Sequence, residues 1–561
     1  MIRKILRYAA IAGAAGLLGC TDKQLNVVNP NSGDTQRVLG TPNDAEALIS
    51  TYWKRWMSGM YGSITDVEGM ADIFGMMSYS SLANNCMNSH APFTGATNFN
   101  SPGNTCLSEQ YRLYSILGEV ERVASSFLTA EAGGLTLGSP ARDARAKSYA
   151  EYLRGISLGY LALMHDSAAV VSPGMDAQDP GKLAAYPVVA ESAYAALQRS
   201  IDYATANASG ANGFPLPTTW INSPTTYTSA EFVKLVKSYR ARFRANVART
   251  PAERAAAKWD LIIADAQGGL TSDQIITTNT VSGPFRSWVA QYDTYGLWHQ
   301  MPPMIIGMGD VSGSYASYLA TALTDRGSGN NAFFMVTPDL RFPQGATRAA
   351  QQADFPITSC QGAAQTCKRY FANRIGNDQF AGLGWAWSNY DFVRFHSWRQ
   401  AGDGGSGQNG NIPLFAKTEL DMLQAEGLIR QGNYAAAAAL INVTRVKNGL
   451  PALTAFDNTT PVPGGANCVP KMPVGGNTVT CGNMMEAMKW EKRMETAFIA
   501  FTPWYLDARG WGDLGQDTPL FWATPYQDLQ ARGYTVAQVY GAGIGAGNAA
   551  GSSAGKSTYG W

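Results

Sequence analysis

Pro413-Leu414-Phe415-Ala416-Lys417-Thr418-Glu419-Leu420-Asp421-Met422-Leu423-Gln424-Ala425-Glu426-Gly427-Leu428-Ile429-Arg430-Gln431-Gly432-Asn433-Tyr434 reads as one helix, a break and the start of another. Leu420, Leu423, Leu428 and Ile429 fall on one side of an amphipathic segment that Pro413 opens, and Gly432-Asn433 interrupts it. A second helix carries Ala435, Leu440, Ile441, Val443 and Val446 before Gly449 stops it. Two antiparallel helices joined by a tight turn make a hairpin of tetratricopeptide size. A single hairpin cannot bury its own faces, so other hairpins must stack on it, and the paired helices before residue 270 are its natural partners.

Helical signals dominate the chain on the N-terminal side. Thr41-Pro42-Asn43-Asp44 places a cap, a proline and an acid ahead of Ala45 to Met57. Thr228-Ser229-Ala230-Glu231 opens a helix with Phe232, Val233, Leu235, Val236, Tyr239 and Phe243 on its apolar side, and Thr250-Pro251-Ala252-Glu253 reads as a capping box. Further helices are expected near 107–128, 142–165, 186–206 and 484–501. Strand-like alternation is scarce. The segments 76–104, 268–300, 326–412 and 454–482 are rich in Gly, Asn, Pro and aromatics, and read as long loops with short strands. The expected fold is mainly α: tetratricopeptide-like helical hairpins forming a scaffold, with long loops and a few short β-hairpins. One large domain is expected over 41–561. Its scaffold covers about 41–270 and 413–512, and its loop-rich insertions about 76–104 and 268–412.

The 561-residue chain carries 43 basic and 42 acidic residues, so nothing in its charge suggests a nucleic-acid partner. Charged residues are only 15%, below the average of about 25%, which suits an extracytoplasmic protein with aromatic contact surfaces. Arg3, Lys4 and Arg7 precede the apolar run Ile11 to Leu18, which closes on Leu17-Leu18-Gly19-Cys20. That is the pattern of a signal peptide over 1–19 ending in a lipobox, too short for a membrane span. Cys20 is the expected lipidation site, and 20–40 a lipidated tether and extended lead-in. The other six cysteines form three local couples, Cys86 with Cys106, Cys360 with Cys367, and Cys468 with Cys481, read as disulfides stapling loops in an exported protein. Six cysteines permit fifteen connectivities, so the pairing rests on proximity. No CxxC occurs, and His90, His165, His299 and His396 lack a second ligand at metal spacing, so no metal and no cofactor is expected.

The hairpin at 413–450, ending in Ile441-Asn442-Val443-Thr444-Arg445, resembles the C-terminal helical hairpin of the SusD/RagB family, with acids at the positions of Glu419 and Glu426. Glu491-Lys492-Arg493-Met494-Glu495-Thr496-Ala497-Phe498 followed by Trp504-Tyr505-Leu506-Asp507-Ala508-Arg509-Gly510-Trp511-Gly512 is similar to its second signature, an Arg/Glu-rich helix leading to an aromatic-Asp-Arg-Trp-Gly turn. Tyr149 to Met164, around Arg154, is similar to an early tetratricopeptide-type helix of that family. Ile499-Ala500-Phe501-Thr502 departs from the usual Glu-Gly-x-Arg and marks a divergent branch. The resemblance implies a lipid-anchored outer-membrane protein, facing the cell exterior, that binds glycans or peptides. It also implies a partner, a TonB-dependent transporter of the SusC type, for which such proteins act as the lid, and no catalytic residue. Glu419, Glu426, Glu491, Arg493, Glu495, Asp507 and Arg509 are read as scaffold.

An uncharged sugar is held by flat aromatic faces, with amides and carboxylates fixing its hydroxyls. Three segments have that composition. One holds Trp288, Gln291, Tyr292, Asp293, Tyr295 and Trp298, whose spacing also suits a core stripe. The second holds Tyr79, Asn84, Asn85, Asn88, Phe93 and Phe99, and the third Trp385, Trp387 and Tyr390. Gly155-Ile156-Ser157-Leu158-Gly159 matches a nucleophile elbow, but its helical context excludes the strand-turn-helix that an esterase needs. Gly541-Ala542-Gly543-Ile544-Gly545-Ala546 has no room after it for a dinucleotide-binding unit. The remaining rivals are a cell-surface glycoside hydrolase, for which Asp293, Asp310, Asp339 and Asp391 are available carboxylates, and a structural surface lipoprotein without a small ligand.

Overall fold

The computed structural model describes residues 38–61, 67–80, 99–100, 108–176, 179–206, 213–278, 299–323, 325–326, 333–355, 369–373, 388–394, 410–499, 501–534, 538–539 and 554–561. In chain order its elements are α1 (Pro42–Met60), α2 (Val67–Phe74), β1 (Tyr79–Ser80), β2 (Phe99–Asn100), α3 (Ser108–Ala132), α4 (Pro140–Met164), β3 (Ser167–Ala169) and β4 (Leu183–Ala185). Then come α5 (Tyr186–Ala206), α6 (Thr218–Ile221), α7 (Ser229–Asn246), α8 (Pro251–Ala255), α9 (Trp259–Gln267), β5 (Gln274–Thr278), β6 (His299–Gln300), α10 (Pro303–Ile306), α11 (Ser314–Ala320) and α12 (Arg348–Asp354). The chain continues through β7 (Phe371–Asn373), β8 (Tyr390–Phe392), β9 (Gly410–Phe415), α13 (Lys417–Arg430), α14 (Tyr434–Lys447), β10 (Lys471–Pro473) and β11 (Val479–Cys481). It closes with α15 (Met484–Thr496), α16 (Pro503–Trp511), α17 (Tyr526–Ala531) and β12 (Gln538–Val539).

The mainly α expectation holds. Each long helix packs on the next in a continuous series, α1 on α3, α3 on α4, α4 on α5, α5 on α7, α7 on α9, α9 on α13, and α13 on α14 and α15. Gly432, in the left-handed region at φ 76°, turns α13 back onto α14, the hairpin expected from the sequence. At the centre lies α4, buried on all sides from Ser148 to Met164, so it takes no amphipathic stripe. Close packing requires small residues there. A Cβ on Gly155 would stand 2.5 Å from Leu197, and one on Gly159 2.3 Å from the Phe243 ring. Ser157 sits between them, mid-helix and buried, which removes the strand-turn-helix geometry an elbow requires.

Helix starts follow their caps. Thr41 accepts from Asp44 N ahead of Pro42, and Thr228 with Glu231 forms a complete capping box. At Thr250 the expected box is only half made. Thr250 Oγ1 accepts from Glu253 N at 3.2 Å, but the Glu253 carboxylate takes the Arg249 N–H at 2.7 Å, one residue upstream. Three other expectations are corrected. Pro413 does not open α13. It lies in β9, whose register against β5 runs Gln274↔Phe415 to Thr278↔Gly410 and removes 410–415 from any helix. The 484–501 helix ends at Thr496, because Phe498 (φ 55°) and Thr502 (φ 48°) both take left-handed backbone. The stretch read as an aromatic-Asp-Arg-Trp-Gly turn is itself the helix α16, with Gly512 ending it.

Among the described residues the strands form six two-stranded antiparallel sheets, and three are not the short hairpins expected. β1–β6, β2–β12 and β5–β9 each join parts of the chain far apart in sequence. Cys468 and Cys481 form a disulfide flanking the β10–β11 hairpin, the pairing expected from proximity. The other two expected couples are not matched by a described bridge. Cys86 and Cys106, expected as one pair, and Cys360 and Cys367, expected as another, all lie outside the described residues, as does the lipidation candidate Cys20. No described helix is long and apolar enough to cross a membrane.

Glu419, Glu426, Glu491, Arg493, Glu495, Asp507 and Arg509 are buried between helices. Arg242 of α7 donates to both oxygens of Glu419, and Arg254 of α8 to both oxygens of Glu426 at 3.0 and 2.6 Å. Lys492 Nζ lies 2.7 Å from Asp507, Arg493 donates to Asp513 at 2.6 Å, and Arg341 bridges Asp339, Glu491 and Glu495. Arg509 caps three backbone carbonyls, those of Leu163, Leu520 and Asn246. These cations satisfy acceptors from other elements of the fold, as buried charges must.

Candidate functional site

The described flanks of the three ligand-candidate segments meet in one place. β1 pairs with β6 in the register Tyr79↔Gln300 and Ser80↔His299. The segment beginning at Tyr79 and the one ending at Gln300 therefore share a single ladder. The third joins through Met301, whose N–H donates to Tyr390 O at 2.9 Å and whose carbonyl accepts from Ser388 Oγ at 2.6 Å. The residue that follows the Trp288–Trp298 stretch and β6 is thus tied to the one that follows Trp385 and Trp387. At the far end of 279–298, Thr278 pairs with Gly410, the first residue after 395–409. The other end of 81–98 is held by β2, and Asn100 locks it there: its amide donates to Thr524 O at 2.7 Å and its Oδ1 accepts from Tyr526 N at 2.8 Å.

Beneath this frame lies a second core rich in sulfur and aromatics, including Met76, Met77, Met301, Met304, Met335, Phe342, Phe371, Phe392 and Trp490. Phe342 and Phe371 stack at 4.3 Å between centroids. Flexible methionines fill the gaps between such rings, so the support is dense although its strands are only two or three residues long. Tyr390 belongs to this support rather than to a ligand face. It is fully buried, its hydroxyl donates to Gln351 Oε1 at 2.8 Å, and burial pushes its phenol up to about 12. Asn373 donates to the same Gln351 oxygen at 2.9 Å, and Arg348 reaches Asn373 Oδ1 at 2.6 Å. Burial likewise drives the Asp72 carboxyl, at the end of α2 just before β1, well above its usual range.

Tyr79 contributes backbone to β1. Asn84, Asn85, Asn88, Phe93, Trp288, Gln291, Tyr292, Asp293, Tyr295, Trp298, Trp385 and Trp387 lie outside the described residues. Sequence reading found these segments by composition. It missed Ser388, Met301 and Asn100, which bring their flanks together and carry no compositional signal. Two hydrolase carboxylates are already occupied. Asp310 accepts from Ser312 N, Ser312 Oγ, Val336 N and Tyr315 N, and Asp339 from Arg341 and, at 2.9 Å, Trp490 Nε1. Asp391 is buried in β8. Among the described residues no group of His, Cys, Asp and Glu could hold a metal ion.

No protein-family model and no curated protein matches the chain. Solved structures do match it in shape. A SusD homolog from Bacteroides thetaiotaomicron VPI-5482 aligns over 88% of this chain and 89% of its own, at 14% identity and a TM-score of 0.50. A SusD superfamily protein from Bacteroides fragilis aligns over 89% of this chain and 100% of its own, at 11% identity and a TM-score of 0.50. The resemblance carried by residues 413–512 and the superposition over 88–89% of the chain agree: this chain has the fold of the SusD superfamily.

Proposed function

We propose that the protein is a lipid-anchored capture protein of the outer-membrane surface. It binds an oligosaccharide, or a peptide, through the aromatic-rich segments whose flanks meet at the β1–β6–β8 frame, and delivers it to a TonB-dependent transporter of the SusC type as that transporter's lid. The observation that carries this reading is the convergence: segments rich in Trp, Tyr, Asn and Gln, far apart in sequence, share one ladder and one backbone junction at Met301. A sugar's flat faces and hydroxyls call for rings and amides, the residue types in which these segments are rich. The fold adds weight, since two solved SusD-type structures superpose over most of the chain. The protein captures without transforming; Asp310 and Asp339, two of the four carboxylates open to a hydrolase, are spent on backbone and guanidinium partners. Calorimetry of the mature protein against a glycan and peptide panel tests this. Saturable binding with no product is the expected result, turnover would make it a hydrolase, and silence across the panel would leave a structural lipoprotein.

A further inference from the structure

A cleft of about 320 Å³ opens between α3, the β3 strand and α17. Its floor is one face of α3, where Tyr111, Tyr114, Ser115, Gly118 and Glu121 recur at helical spacing. Asp528 and Arg532 of α17 form the opposite wall.

Gly118 is the informative residue. A glycine within a long helix weakens it, and such a residue is normally kept because a neighbour packs against it. Here a Cβ would meet nothing within 4 Å, whereas at Gly155 and Gly159 of α4 it would collide with a partner helix. Packing among the described residues therefore does not account for Gly118, but a body lying in the cleft would.

The chemistry of the walls defines that body. Tyr111 is 39% exposed and lines the opening. Asp528 Oδ2 accepts from Tyr114 at 3.3 Å and from Arg532 at 2.7 Å, and its Oδ1 has no hydrogen bond among the described residues. Arg532 is spent on Asp528 and on the carbonyls of Pro180 and Gly181, Glu119 is paired with Arg55, and Arg122 is also engaged. Glu121 is 1% exposed, and its Oε1 accepts from Val171 N at 2.7 Å. Burial pushes that carboxyl up to about 8, which favours its uncharged form. No unpaired charge is left among the described residues of the cleft to hold an ion; Tyr114 and Ser115 already donate to Asp528 and to the Arg112 carbonyl, and the exposed Tyr111 and a spare Asp528 carboxylate oxygen remain.

We propose that this cleft is a second ligand site, separate from the β1–β6–β8 frame, and that it takes one uncharged sugar ring lying over Gly118 against Tyr111, with hydroxyls directed at Asp528. The volume lies within the range of small-molecule pockets. Saturation-transfer NMR on the mature protein, with methyl glucoside, methyl galactoside, methyl mannoside and N-acetylglucosamine as probes, tests it. The expected result is ring-proton saturation by at least one probe that persists in Trp288→Ala. Tyr111→Ala should weaken it at least tenfold, and Gly118→Leu should abolish it, while Gly118→Ala keeps or raises the melting temperature. Silence from all four probes, saturation lost in Trp288→Ala alone, or saturation unaffected by both Tyr111→Ala and Gly118→Leu would each overturn the proposal.

Discussion

Arg242 and Glu419 stand 177 residues apart and meet in the core, the guanidinium donating to both carboxylate oxygens at 2.7 and 2.6 Å. Both side chains are 2% exposed, the Tyr160 hydroxyl accepts a third N–H at 2.9 Å, and the Phe415 ring lies 3.6 Å beneath the guanidinium carbon. The pair pins α7 to α13, and so ties the N-terminal helices to the C-terminal hairpin. Glu419→Ala leaves a buried cation without its partner and should cost about 3–5 kcal/mol. Replacing both by apolar residues, Arg242→Met with Glu419→Leu, should recover most of that loss. Chemical denaturation of the two variants checks it; equal loss in both would mean the ion pair itself supplies the stability.

Gly159 and Gly118 should respond to alanine with opposite signs. Helix propensity favours Ala at both by about 0.5–1 kcal/mol. At Gly159 the added carbon would lie 2.3 Å from the Phe243 ring, and overpacking costs about 1–3 kcal/mol, so sterics win there. Thermal melts of Gly159→Ala and Gly118→Ala should move in opposite directions, and a stabilised Gly159→Ala would refute the close α4–α7 approach.

His165 and Glu426 each make the fold acid-sensitive, while Glu121 opposes His165 between about pH 4.5 and 6.5. Burial, with the Arg249 cation nearby, lowers the His165 imidazole to about 4, its Nδ1 facing Ala523 O at 3.1 Å. The unfolded chain takes up that proton from about 6.5 downward, so stability falls between pH 6.5 and 4. Burial opposes ionisation of Glu426, yet Arg254, with Arg430 and Lys492 beyond, holds its carboxyl down at about 2. Its contribution is complete above about 4.5 and is lost as pH falls through 2. Glu121 works the other way: with its folded pKa raised to about 8, its contribution fades as pH rises from about 4.5 to 8. Melting temperatures across pH 3–9 should show a shallower upper acid limb in His165→Gln and a flatter alkaline limb in Glu121→Gln. Profiles identical to wild type would contradict both assignments.

Cys468 and Cys481 close a loop at a sequence separation of 13. Removing the bridge with Cys468→Ser and Cys481→Ser should cost about 2–3 kcal/mol. The Cys468 side lies in the core shared by α13, α14 and α15, so the loss should appear as global destabilisation, read by urea midpoint. A change confined to local protease sensitivity would limit the bridge to a loop staple.

Capture and anchoring should separate genetically. We expect Trp288→Ala and Trp298→Ala to abolish ligand binding at nearly unchanged melting temperature; unfolding instead would make that stripe core. Cys20→Ser should leave affinity of the purified protein intact and impair uptake by cells, and an unaltered uptake rate would remove the lid reading.

The residues that announce local structure were legible without coordinates. Thr41 and Thr228 cap helices because a side-chain oxygen meets an N–H three residues on, a geometry contained within four residues. Gly432 could be read as a turn for the same reason, and Trp288 or Asn84 as contact candidates from composition alone. Pro413 could not be placed in a strand, because its partner Ile275 is distant in the sequence and only the folded chain brings β5 to β9. Likewise the charges of Glu419 and Glu426 were visible, but their partners Arg242 and Arg254 were not. The junction of Tyr79, Gln300, Met301, Ser388 and Tyr390 belongs wholly to tertiary structure. Backbone hydrogen bonds between short strands depend on position rather than residue type, so sequence supplied the aromatic segments and the fold alone decided that their flanks share one frame.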